Sequence, residues 1–178
     1  MTQQTATQNE LLTQFLATAD RLVTAVANLS ETELDLTAES DGWSIRQMVH
    51  HAADDGDTWC LPLKKAIATP GAPLRFEGFP GNDAWAAGLA FDKRGVGPAL
   101  QLIRAHRQVM ADLARYFAAD WDACYVTVVD ANGQALQKLT LEQILRMITE
   151  HLQEHVEAIE AVLQANQAES LPLPGGRK

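Results

Sequence analysis

The chain has 178 residues, 47% of them hydrophobic and 21% charged, with a formal net charge of -9. These values suit one soluble domain with a sizeable core, and the acidic balance argues against nucleic acid or an anionic membrane as a partner, because no basic patch is there to meet phosphates. No apolar run is long enough to span a bilayer, the N-terminal stretch lacks the regions of a secretory signal, and Cys60 and Cys124 form no Cys-x-x-Cys motif, so a cytoplasmic protein with free thiols is expected.

The first helix is predicted from about Asn9 to Asn28, with Leu11, Leu12, Phe15, Leu16, Ala19, Leu22, Val23 and Val26 as its apolar face. Ser30 and Glu33 form a capping-box pattern that opens a short helical turn, and a polar connection from Thr37 to Gly42 follows. The second long helix begins at Trp43-Ser44, with Ser44 as N-cap and Gln47 at the capping-box position. His51 borders its apolar side, marked by Ile45, Met48, Ala52, Trp59 and Leu63. His50 is turned away by about 100° and is expected to meet solvent or a neighbouring helix. Pro62 is expected to kink this helix or end its first half.

Residues 70–97 are rich in Gly and Pro and show no periodicity, yet they hold Phe76, Phe79, Trp85 and Phe91. Such a loop folds back over a pocket mouth or forms a satellite hydrophobic cluster, and the sequence leaves both open. The third helix is expected from about Pro98 to Ala118. His106 stands between Arg104 and Arg107 there and reads as a surface residue. Tyr125 to Val129 and Ala135 to Leu139 read as strands, joined by turn residues Asp130 to Gly133 into a small hairpin.

Thr140 and Gln143 make a capping box for the last helix, which runs to about Ala165. His151 and His155 lie one turn apart and face the same way. Leu141, Ile144, Ile148, Ile159 and Val162 mark the buried stripe in which both fall. Such pairs also occur on solvated faces, or as hydrogen-bonded core residues. Imidazoles at core positions still need partners, and a metal ion is one. Residues 1–169 are expected to form one domain, and residues 170–178, with their Pro and Gly content, a flexible tail.

Four long amphipathic segments point to an all-α, up-down four-helix bundle, with a long loop between its second and third helices and a hairpin between its third and fourth. Bundles build metal sites from facing helices, and His51, His151 and His155 can converge there. Three neutral imidazoles would leave a position open for water or substrate, the catalytic pattern. Asp54, Asp55, Glu150 and Glu154 are candidates to orient the rings, Asp55 foremost because it lies one turn after His51.

The run from Trp43 through His50 and His51 to Asp54 resembles the second-helix motif of the DinB/YfiT-like superfamily, in which a metal-binding histidine follows a tryptophan by eight residues. His151-x-x-x-His155 is similar to that family's fourth-helix pair. The chain departs from the YfiT-like pattern at Ala158, where those members often carry another histidine. The resemblance covers most of the chain. It implies a four-helix bundle of DinB/YfiT type, a divalent metal such as zinc or nickel, and a homodimer. It also implies a hydrolase, or a transferase that uses a low-molecular-weight thiol, acting on a small-molecule substrate. The competing expectation is a non-catalytic metal-binding stress-response or small-molecule-binding module, in which the metal only stiffens the bundle. A metal position opening into a pocket favours the enzyme.

Overall fold

Three of the four long helices start on side-chain caps that the sequence spells out. The computed structural model describes residues 5–38, 42–76 and 80–170. Helix α1 spans Ala6–Val26, with Thr5 and Gln8 in a capping box, so it begins three residues before the expected Asn9. The short α2, Glu31–Leu34, is capped by Ser30. Helix α3, Ile45–Ala68, opens on the Ser44 and Gln47 box. After β1, Pro73–Leu74, come α4, Asn82–Gly88, and α5, Gly97–Tyr116, which has a proline in its first turn. Strands β2, Tyr125–Val129, and β3, Ala135–Thr140, precede α6, Leu141–Ser170. The Thr140 hydroxyl accepts the Gln143 N–H, and the Gln143 side chain accepts the Thr140 N–H. Helix α6 runs five residues past the expected Ala165 and takes in Ser170, the first residue of the expected tail; Phe79 and residues 171–178 lie outside the described residues.

Helix α3 does not end at Pro62. Proline removes one backbone bond and costs about 3 kcal/mol in a helix interior. Leu63 and Ala66, both fully buried just beyond it, hold the second half in place by packing.

The expected hairpin is present, closed by Asp130, whose carboxylate accepts the N–H groups of Asn132 and Gln134. Its neighbour β1 has no signal in the sequence. Gly71, at φ 85°, turns the chain after α3 and donates its N–H to Tyr125 O. Pro73 and Leu74 then pair in parallel with Thr127 and Val128. Two residues are too few for a period, and the partner lies over fifty positions away. Helix α4 is likewise short, and it falls in the same aperiodic stretch.

The bundle packs α1 against α5 and α6, and α3 against the same two helices. Consecutive long helices α1 and α3 are therefore diagonal. Arg104 on α5 pairs with Asp20 on α1 at 3.2 Å, and Arg21 on α1 pairs with Glu160 on α6.

Two apolar clusters fill the interior. One gathers Phe15, Leu63, Met110, Leu141 and Ile144, and the other gathers Leu22, Ile45, Val49, Ile103, Val156 and Ile159. Between them each long helix contributes a polar residue: Thr18 from α1, Asp55 from α3, Arg107 from α5 and His151 from α6.

His106 is not the surface residue the sequence suggested. Its ring lies against α3 at Gly56, and its Nε2 meets Asp57 Oδ1 at 3.0 Å. A Cβ on Gly56 would stand 2.2 Å from His106 Nδ1 and 3.2 Å from its Cβ. Alanine in place of a helical glycine normally stabilises by up to about 1 kcal/mol. Here Gly56→Ala should instead destabilise by about 1–3 kcal/mol through overpacking. Thermal denaturation of Gly56→Ala, with and without His106→Ala, checks this: the second substitution should recover most of the loss.

Candidate metal centre

His51 enters the site from the second turn of α3, and His151 and His155 come from one face of α6. His51 Nε2 lies 3.1 Å from His151 Nε2, and His155 Nε2 lies 3.2 Å from the same atom. The three ring nitrogens all fall within 4.8 Å of one another. His50 points elsewhere. It is 2% exposed, stacks on Phe91, and its Nε2–H donates to Arg94 O at 3.1 Å while Nδ1 accepts from Arg94 Nη2 at 3.3 Å. Both of its nitrogens thus hold the loop before α5.

Asp55 sits at the centre itself. Its Oδ2 lies 2.9 Å from His151 Nε2 and 3.6 Å from His51 Nε2. The sequence offered it as a residue that orients the rings, and it meets the nitrogens that face one another. Of the other acids, Glu154 approaches His151 Nδ1 at 3.9 Å and is largely exposed, and Glu150 is exposed. Asp54 accepts the indole N–H of Trp85.

Trp43, the residue that anchors the second-helix motif, packs its ring edge-on to His51, with centroids 5.0 Å apart. Its Nε1 donates to Asp83 on α4 at 2.9 Å, so indole and loop together fix the His51 ring.

Sequence reasoning missed Arg107, which it grouped with surface cations. Arg107 is 7% exposed, donates from Nη2 to Ile148 O at 2.7 Å, and lies 4.3 Å over the Phe15 ring. Its Nη1 has no partner among the described residues. Burial lowers its pKa to about 10, against the pull of Asp55. The one available signal was its position on the stripe of Leu100, Ile103 and Met110.

The electrostatics divide the site. Burial pushes the Asp55 carboxyl up, but the His151 hydrogen bond and the three imidazoles outweigh that and hold it below its usual range. The bond to Asp55 raises His151. Burial lowers His51. Burial, then the neighbouring His151 and His51, lower His155 to about 4.

These residues fit a cation. A neutral imidazole carries one N–H, so with its proton on Nδ1 each of the three rings presents an Nε2 lone pair to the centre, where a cation would meet them. Imidazole nitrogens bind a divalent ion such as zinc at about 2.0–2.1 Å, which places two ligands of one tetrahedral or octahedral ion about 2.8–3.4 Å apart. The two separations from His151, 3.1 and 3.2 Å, fall in that range.

Residues 14–159 match the DinB superfamily. The chain belongs to it. It is 28% identical over 145 residues to a protein of Bacillus pumilus (strain SAFR-032) that bears the name "Putative metal-dependent hydrolase", covering 80% of this chain and 78% of that one. It is 32% identical over 144 residues to a similarly named protein of Bacillus licheniformis, covering 79% and 76%. Among solved structures, YfiT from Bacillus subtilis, described as "a probable metal-dependent hydrolase with an unusual four-helix bundle topology", superposes with a TM-score of 0.76. That match covers 90% of this chain and 87% of YfiT at 19% identity, and it establishes the shared four-helix bundle.

The shifts carry a pH consequence for the metal-free protein. The unfolded chain takes up a proton at His155 near the usual 6.5, whereas the folded one resists until about 4. His155 therefore withdraws stability as pH falls through that window. His151, raised, contributes the opposite way: its stabilisation is full below the usual value and fades as pH rises through the folded one. Replacing His155 by Gln should flatten the acid loss of stability between pH 6.5 and 4, read from melts of chelator-treated protein at a series of pH values.

Proposed function

We propose that this protein is a metal-dependent enzyme acting on a small molecule, with His51, His151 and His155 holding one divalent cation, zinc or nickel, through their Nε2 atoms. The observation that carries the reading is the convergence of those three nitrogens beside Asp55. The names of the Bacillus relatives agree with it.

A divalent cation held there supplies Lewis acidity, which lowers the pKa of a bound water or thiol so that a nucleophile exists at neutral pH. The chain's own residues do the rest. His155 and His51, kept neutral by burial, offer lone pairs. Asp55, kept ionised, presents Oδ2 on the same side and is the base available to accept a proton from water or thiol. Trp43 holds the His51 ring, and Arg107 places a buried positive charge within reach of Asp55.

Two reactions fit this arrangement: hydrolysis by water, and transfer of a low-molecular-weight thiol. A catalytic role is favoured over a merely stiffening metal because His51 lines a cavity of about 680 Å³. A structural site would be closed by four protein ligands. Cys60 and Cys124 are both buried, and neither belongs to the three-histidine group.

The purified protein should hold one divalent ion per chain by elemental analysis. His51→Ala and His151→Ala should each lower that content at least about tenfold, whereas His50→Ala should keep the metal and lose stability instead. Full metal in His151→Ala would overturn the assignment. Hydrolysis or thiol transfer should vanish on chelation and survive Cys60→Ser with Cys124→Ser. The reverse pattern would indicate a cysteine nucleophile.

A further inference from the structure

The walls beside the centre narrow the class of substrate. The cavity that His51 borders is also lined by Trp59, Phe76, Trp85 and Leu89. At about 680 Å³ it falls in the range of pockets that enclose most of a drug-sized ligand.

Its aromatic rings are held in place. Trp59 and Phe76 meet edge to face, with centroids 5.4 Å apart at 63°. The Trp85 indole is anchored by its N–H to Asp54. Held so, Phe76 is still 51% exposed and Trp85 39%. Single exposed apolar residues are ordinary on a surface. Several rings grouped on one cavity, next to a centre built for a cation, form the kind of apolar lining that marks a binding site.

The carboxylates of the cavity do not contest that character. Asp54 is engaged by the Trp85 indole, and Asp57 by His106 Nε2 at 3.0 Å. Ring faces attract a flat partner by offset stacking or edge contact, beyond the gain from the area buried.

We infer that the cavity receives a planar aromatic body of the substrate, gripped by Trp85 and Phe76, while the reactive group sits at the histidine centre. This rests on the metal reading above for the reactive end, and on the cavity alone for the aromatic end.

The test uses the metal-loaded protein and two hydroxamates that share one metal-binding group: acetohydroxamate, with no body, and 2-naphthohydroxamate. The naphthyl compound should bind at least about tenfold more tightly by calorimetry. Trp85→Ala and Phe76→Ala should each reduce that advantage by about three- to tenfold and leave acetohydroxamate unchanged. Trp85→Phe, which keeps a ring, should retain most of it. Equal binding of the two hydroxamates, or alanine variants that weaken both alike, would overturn the inference and leave the metal intact. If neither hydroxamate binds because the chain holds no metal, the metal reading fails by itself. The cavity is then decided by 2-naphthamide, which lacks the metal-binding group: saturable quenching of tryptophan fluorescence that is lost in Trp85→Ala upholds the aromatic site, and no quenching at millimolar ligand ends it.

Discussion

Three imidazole nitrogens that face one another inside a bundle impose the constraint to which the surrounding structure answers. A buried polar atom without a partner costs roughly 1–3 kcal/mol, and here the ring nitrogens and Asp55 partner one another at one point. The bundle makes room for them by interrupting its core. The Leu63 and Ile144 cluster lies on one side, the Val49 and Ile159 cluster on the other, and a polar layer crosses between them. Helix α3 gives that layer His51 and Asp55, α5 gives Arg107, and α6 gives His151 and His155. The apolar clusters supply the stability, and the layer uses some of it to hold groups in an arrangement that water would otherwise dissolve.

Asp55 is held ionised by the His151 hydrogen bond and the imidazoles around it. Arg107 adds a buried guanidinium from α5, fixed by the Ile148 carbonyl and the Phe15 ring, whose charge Asp55 favours. Ile148 lies one turn before His151, so the same guanidinium joins α5 to the helix that carries two of the ring nitrogens. A carboxylate, a guanidinium and three imidazoles at the level where α3, α5 and α6 meet explain why this part of the bundle is not filled with Leu and Ile.

How much of this was legible depended on the range over which each signal acts. The histidine pair was legible because a helix repeats every 3.6 residues, so positions 151 and 155 share a face whatever surrounds them. The caps at Ser44 and Thr140 were legible because a capping box closes within four residues. His51 followed from the family resemblance, whose motif sets a histidine eight positions after a tryptophan; Trp43 stands just before the Ser44 cap. Arg107 was not legible in the same way. Its burial depends on which helices flank α5, and the diagonal placement of α1 and α3 is a tertiary choice that no local period encodes. The direction of the Asp55 carboxylate likewise follows from how close α6 comes to α3. Gly56 could not be assigned a reason until His106 was seen lying on it.

The least legible elements have the clearest purpose once placed. A four-helix bundle offers a centre between helices but little wall around its opening. Here the wall comes from the connection between α3 and α5. Gly71 reverses the chain with a positive φ, and β1 docks on β2, whose own register is fixed by the hairpin with β3. That parallel pairing places Arg75 and Phe76, the two residues after β1, on the cavity. Helix α4 adds Trp85 to the same wall, and the Trp43 indole ties α4 back to the His51 ring through Asp83. Side chains that converge at the three-histidine centre are thus set by helix period, whereas side chains that shape its surroundings are set by pairing over distance. A family built on this bundle can keep the first and alter the second, and so change substrate without changing the centre.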